Sequence, residues 1–177
     1  MSLKSSTPAP SHAMAELDRA LDICISGPVA DAALARFRQQ LQSWQLAVPD
    51  VPPLVLDFGL GEFERTGLIE SWVANEMTAG YCGKFLFVFA GQECPAHSHR
   101  IKHETFFIVK GQAAITADGQ SREYGPGGVL PVAPGVVHSF RGVTPCLLLE
   151  VSKPCEVADN YFMDTRIPIG GNYRPTS

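Results

Sequence analysis

What this sequence lacks removes several classes of function. No stretch approaches the ~18 consecutive apolar residues of a membrane-spanning helix, and the opening MSLKSSTPAPSH contains no apolar core of a secretory signal. Basic residues are few. Fourteen Lys and Arg against 18 Asp and Glu leave a net charge of -4, with no basic stripe to follow a phosphate backbone, so nucleic acid is not an expected partner. The five cysteines (Cys24, Cys82, Cys94, Cys146, Cys155) are odd in number and irregularly spaced. That is not a disulfide framework, and the expectation is a reducing cytoplasm. Internal repeats and low-complexity tracts are missing too. Histidine is scarce, with five in the chain, yet four of them fall between His97 and His138.

What is present begins with bulk: 177 residues, 45% hydrophobic, are enough for one domain with a sizeable core and too few to favour two. Residues 1–12, polar and proline-bearing, read as a disordered arm. Residues 13–50 read as a helical segment and residues 51–177 as a β domain with a C-terminal tail. From Ala13 to Ile25, Met14, Leu17, Leu21 and Cys24 recur at helical spacing. Pro28 then stands where a helix favours proline, and Ala30, Ala33, Leu34, Phe37, Leu41 and Trp44 make an amphipathic stripe. Two N-terminal α-helices are therefore expected, covering a sheet face or an end of the β domain. Strands are expected over 54–57, 67–75, 81–90 and 146–151. A hairpin is expected over 112–124, turning at Asp118-Gly119-Gln120.

The most informative stretch is Gly91 to Gly111, GQECPAHSHRIKHETFFIVKG. In an extended strand, side chains two apart share a face, so His97 and His99 point together and Ser98 points away. The stretch reads as a β-hairpin: residues 100–103 turn, and Glu104 opens a returning strand rich in β-branched and aromatic residues, opposite the imidazole pair. Residues 127–138 read as strand, Pro-Gly turn and strand, which brings in His138. Three neutral imidazoles and one carboxylate suit Mn, Fe, Co, Ni or Zn, with positions left open for water or substrate.

Other polar residues sit where apolar ones would be expected. Lys84 shares a strand face with Leu86, Val88 and Ala90; facing inward, it requires a carboxylate partner or a ligand. Glu150 shares a face with Cys146 and Leu148 in a strongly apolar strand, where burial is expected to raise its pKa toward a value useful for proton abstraction. Lys102 is in phase with Glu104 and is a candidate site residue. His103 and Cys94 lie out of phase, which assigns His103 to a turn or the surface and Cys94 to packing.

These residues carry a resemblance to the cupin superfamily. Gly91, His97, His99, Glu104 and Gly111 match its first motif, and Gly127, Gly135 and His138 match its second. Ala133 stands at a usual proline and Gly142 at a usual asparagine. Further short matches at 57–61 (DFGLG), 81–84 (YCGK), 92–95 (QECP), 102–106 (KHETF), 150–152 (EVS) and 159–167 (DNYFMDTRI) resemble the D-lyxose ketol-isomerase branch. The resemblance implies a mainly β fold, a double-stranded β-helix or jelly-roll barrel, with a divalent metal, typically Mn2+, held by His97, His99, Glu104 and His138. It also implies isomerisation of a free sugar such as D-lyxose/D-xylulose or D-mannose/D-fructose through an enediol. Glu150 is then the base, and Lys102 and Lys84 lie near the sugar oxygens. Asp164 and Arg166 are candidates for remote hydroxyls. The absence of an arginine cluster or glycine-rich phosphate cradle favours a free sugar over a phosphosugar. The same ligand set would serve an Fe(II) dioxygenase or a non-catalytic metal- or sugar-binding protein. A homodimer is expected from the habits of such barrels.

Overall fold

Apolar residues on both faces of several strands call for cover on both sides, and the chain provides it. The structure is a computed structural model that describes residues 21–174. It contains one α-helix, α1 (Pro28–Trp44), and eleven strands: β1 (Leu54–Leu56), β2 (Leu68–Glu76), β3 (Tyr81–Val88), β4 (Glu93–Ser98), β5 (Glu104–Lys110), β6 (Ala113–Ala117), β7 (Gln120–Tyr124), β8 (Val129–Val132), β9 (His138–Gly142), β10 (Cys146–Ser152) and β11 (Tyr161–Phe162). They form two antiparallel sheets, one of six strands in the order β1-β2-β3-β10-β5-β8 and one of five in the order β11-β4-β9-β6-β7.

The core between the sheets comes from alternate residues of facing strands. Leu68, Leu86, Val88, Phe106, Ile108 and Leu148 of the larger sheet meet Ala113, Ile115 and Phe140 of the smaller. The intervening residues Ile69, Phe87 and Leu147 point the other way, onto the Ala30, Ala33, Phe37 and Leu41 stripe of α1. Phe87 is fully buried, with its ring centroid 4.9 Å from those of Phe37 and Phe89. Removing a ring packed this way costs about 3–5 kcal/mol. The helix begins with Pro28 after Gly27 and stops where Gln45 turns left-handed at φ 55°.

Turns fix the register. Asp118 and Gly119 both take positive φ, 50° and 73°, the two-residue geometry whose twist matches that of the flanking strands β6 and β7. Gly111 (φ +78°) lies so close to the neighbouring backbone that a Cβ would sit 1.9 Å from the Pro145 carbonyl oxygen. Gly142 is equally constrained: a Cβ there would lie 2.3 Å from the Phe89 oxygen. That explains a glycine where the family motif carries asparagine.

Three expectations require correction. The sheets are open and face each other; they do not close into a barrel. Only one of the two expected helices is found among the described residues. Of the first, expected over 13–25, residues 13–20 lie outside the described residues, and the remainder is a single 3-10 turn at Leu21–Ile23 followed by a bridge from Cys24 to Leu56. The reading of 91–111 as a hairpin also fails, because β4 belongs to the smaller sheet and β5 to the larger. Residues 99–103 cross between sheets, as do those between β8 and β9. Among the described residues no helix is long and apolar enough to cross a membrane, and no disulfide joins the five cysteines.

Candidate active site

The crossover is what builds the site. β4 pairs with β9 so that His97 lies directly opposite His138, and His99 follows just beyond the end of β4. Glu104, at the start of β5, arrives from the facing sheet. One ligand atom from each of these four buried residues lies within 4.8 Å of every other. Each imidazole is oriented by its far nitrogen: Nδ1 of His97 is 2.8 Å from the Pro95 carbonyl oxygen, that of His99 is 3.0 Å from Asp159 O, and that of His138 is 3.1 Å from Val136 O. A carbonyl oxygen only accepts, so Nδ1 carries the proton in all three rings and Nε2 presents a lone pair inward.

That arrangement fits a cation. Glu104 Oε1 lies 2.7 Å from His138 Nε2 and 3.5 Å from His99 Nε2, and these three buried atoms have no hydrogen-bond partner. Unprotonated nitrogens converging on a carboxylate oxygen repel one another unless a positive centre stands among them. Burial, with His138 and His99 alongside, holds the His97 pKa well below the ordinary imidazole range, which keeps the ring neutral and available as a ligand. Burial pushes the Glu104 carboxyl up, but Lys102, His138 and His99 together outweigh this and hold it well below the usual carboxylate range.

From Glu104 a line of alternating charge runs across the larger sheet. Lys102 Nζ is 2.6 Å from Glu104 Oε2 and 3.0 Å from Glu150 Oε1. Lys84 Nζ is 3.5 Å from Glu150 Oε2 and 3.2 Å from Glu70 Oε1. All five side chains are buried. Burial lowers the affinity of both lysines for their protons, but Glu150 and its fellow carboxylates reverse that and hold both pKa values above the ordinary lysine value. Three carboxylates against two ammoniums leave one negative charge in excess, a further reason for a cation to settle here.

Glu150 departs from expectation in one respect. Burial does push its pKa up, but Lys102 and Lys84 more than cancel this, so its pKa falls below the usual value. Ser152 Oγ donates a further hydrogen bond to it at 2.9 Å. Glu150 is therefore a pinned, ionised carboxylate, not a raised-pKa acid.

A cavity lies beside these groups, and its lining includes His97, Glu104, Lys102, Glu150, Lys84 and Glu70. The tail closes part of it: Asn160, Phe162 and Ile169 also line the wall, with β11 paired to β4. Asp164 and Arg166 are not brought to it. They form a local ion pair, Arg166 Nη2 to Asp164 Oδ2 at 2.6 Å with side chains 59% and 30% exposed, and Asp164 lines a separate surface depression. His103 is exposed and Cys94 packs in the core.

Two residues of consequence escaped the sequence reading. Asp159 accepts hydrogen bonds from the backbone N–H groups of Arg100, Ile101 and Lys102. With its own carbonyl holding His99, it fixes the crossover loop that carries two site residues. Glu70 escaped although its signal was plain, a carboxylate alternating with Leu68 and Trp72 in a buried strand.

Comparison with known proteins agrees with this geometry. The cupin domain model matches residues 85–152. The D-lyxose/D-mannose isomerase of Thermosediminibacter oceani is 30% identical over 141 residues, spanning 64% of this chain and 77% of that protein. The quercetin 2,3-dioxygenase of Bacillus subtilis is 31% identical over 120 residues, but these span only 33% of that protein. The structure of Cellulomonas parahominis L-ribose isomerase with L-ribose superposes with a TM-score of 0.65 over 82% of this chain and 95% of that one, at 16% identity, a likeness of fold.

Proposed function

Since the chain belongs to the cupin superfamily, in its D-lyxose ketol-isomerase family, we propose that it is an aldose-ketose isomerase acting on a free sugar, D-lyxose/D-xylulose or D-mannose/D-fructose. The observation that carries this reading is Glu150, a second buried carboxylate that is not among the metal ligands and is joined to them through Lys102. Metal binding alone requires no such group; moving a proton between two carbons does.

His97, His99, Glu104 and His138 would hold a divalent cation, Mn2+ by family habit, and such an ion supplies Lewis acidity toward neighbouring sugar oxygens. Glu150 takes the proton from C2 of the aldose and returns it to C1 on the same face of the enediol, while the hydroxyl proton passes from O2 to O1. Ionised at neutral pH and inside a largely apolar wall, it is prepared to accept that proton without prior deprotonation. Lys102 stands between base and metal ligand, where an ammonium offsets negative charge developing on the sugar oxygens. Lys84 holds the other oxygen of Glu150.

An Fe(II) dioxygenase is the second reading, favoured by the shared ligand set and by the matched segment of the B. subtilis enzyme. Metal-reconstituted protein incubated with a panel of free aldoses and ketoses and analysed by chromatography decides between them. Interconversion of one aldose-ketose pair is the expected result. Oxygen uptake with a flavonol, and no interconversion of any sugar, would overturn the isomerase reading.

A further inference from the structure

Proton transfer between C1 and C2 uses one end of the line of charges and leaves the other end without a task. We infer that Glu70 and Trp72 form a subsite for the hydroxyl groups of the sugar remote from C1 and C2. The inference rests on the isomerase reading for its choice of ligand.

Glu70 and Trp72 are two apart on β2, share its inward face and line the cavity. The strands carrying Glu104, Glu150, Lys84 and Glu70 are consecutive neighbours in the larger sheet, β5, β10, β3 and β2. Three strand spacings of ~4.8 Å put the Glu70 strand about 14 Å from the Glu104 strand. A short polyol engaged through its first two oxygens near Glu104, with C2 at Glu150, therefore extends toward Glu70.

Glu70 is 7% exposed. Its Oε1 lies 3.2 Å from Lys84 Nζ and its Oε2 accepts from Trp72 Nε1 at 3.1 Å. Both donors come from the cavity wall, and each fixes one oxygen. A carboxylate offers about four acceptor sites, so one per oxygen is left for the hydroxyls of a ligand. Neutralising Lys84 does not by itself account for Glu70, because Lys84 already faces Glu150 at 3.5 Å. Desolvating a second carboxylate costs several kcal/mol, which an apolar side chain in its place would avoid. Trp72, only half-buried, orients that carboxylate through its N–H, and its indole offers apolar surface to the C–H face of a sugar. A carboxylate beside an aromatic surface is suited to a polyol end and ill suited to a carboxylate or phosphate terminus, which Glu70 would repel.

The test is calorimetry on metal-loaded protein titrated with an unreactive pentitol, together with steady-state kinetics on the aldose that turns over. Glu70→Gln is expected to raise both the pentitol Kd and the KM about 10-fold or more, the loss of a charge-assisted hydrogen bond, with the effect falling on KM rather than kcat. Trp72→Ala, at a half-buried site that tolerates truncation, is expected to weaken the pentitol to a similar degree and serves if the Glu70 variant does not fold. Unchanged Kd and KM in both overturn the subsite. So does a fall in kcat at constant KM, which would make Glu70 a positioning residue acting through Lys84. The two proposals fail separately: a protein that isomerises no aldose yet loses pentitol affinity in the variants refutes the isomerase and keeps the subsite, whereas unaltered sugar affinity in variants of an active isomerase refutes the subsite alone.

Discussion

Glu150→Gln is the substitution that most directly separates chemistry from architecture. The amide keeps the shape of the side chain and can still accept from Lys102 and Ser152, which lie 3.0 and 2.9 Å from Oε1, but it cannot take a proton. Two ammoniums lose a partner, although neither is stranded: Lys102 keeps Glu104 at 2.6 Å and Lys84 keeps Glu70 at 3.2 Å. Breaking a buried pair outright costs about 3–5 kcal/mol; with alternative partners in place the expected loss is about 1–3 kcal/mol, which lowers Tm by several degrees without unfolding the chain. None of His97, His99, Glu104 and His138 is touched, so metal stoichiometry should stay at that of the parent protein. Turnover should fall 100- to 10,000-fold, the usual contribution of a positioned acid-base group, or about 3–5 kcal/mol in the barrier at 1.36 kcal/mol per decade. Initial rates, metal content by emission spectroscopy and a thermal melt give the three readings. Exchange of the C2 hydrogen with deuterated water gives a fourth, and it should disappear along with turnover. A variant that binds metal and retains a kcat within 10-fold of the parent protein removes Glu150 as the base. One that exchanges the C2 hydrogen as before removes the proton-transfer step assigned to it.

Asp159→Ala withdraws the acceptor for three backbone N–H groups on the loop that carries His99 and Lys102; metal affinity should drop 10- to 100-fold, measured by competition with a chelator. Arg166→Ala and Asp164→Ala should leave kcat/KM within about two-fold, because their ion pair is at the surface and neither residue lines the cavity; a ten-fold loss would place them in the site after all. In metal-free protein, His97 stays neutral when folded, its pKa held well below the ordinary value by burial and by its neighbour imidazoles, whereas unfolded it titrates near 6.5. Between these two values the unfolded chain binds the extra proton, so stability rises with pH there and falls as pH drops below about 6.5, approaching 1.4 kcal/mol per unit. Glu104 and Glu150, with folded pKa values lowered below 4.5, hold their contribution until more acid conditions, so urea midpoints at pH 7.5 and 5.5 read the histidine effect. Equal midpoints would refute it.

The clustering of His97, His99, Glu104 and His138 was legible because their spacing and alternation place each side chain on a face, and facing is a local property of a strand. Which strand each one pairs with is not local. The run 97–104 has the same alternation whether residues 99–103 turn back within one sheet or cross to the other, and here they cross. The crossing matters to the chemistry: in a hairpin Glu104 would stand beside the imidazoles, whereas across the gap between sheets it faces them and encloses a centre. The same limit applies to the charges. Alternation along β3 shows that Lys84 needs a partner without showing which; its main partners are Glu150, aligned with it by the β3-β10 register, and Glu70, reached across β2 where a bulge between Trp72 and Ala74 shifts the count. No spacing rule finds a bulge. The expected rise in the Glu150 pKa fails for a related reason, since burial is visible in the apolar neighbours of Glu150 whereas the two lysines that reverse its effect come from β3 and from the crossover loop. Asp164 and Arg166 err in the opposite direction: two residues apart, they satisfy each other locally and need nothing from the site. A sequence therefore discloses which side chains are out of place in their own strand, and folding alone decides which of these find each other. The five such residues on the larger-sheet side of the cavity, Glu70, Lys84, Lys102, Glu104 and Glu150, do so in a single alternating line, and one line of charge leading from the histidine-glutamate cluster to an aromatic wall has more order than cancellation of charge requires.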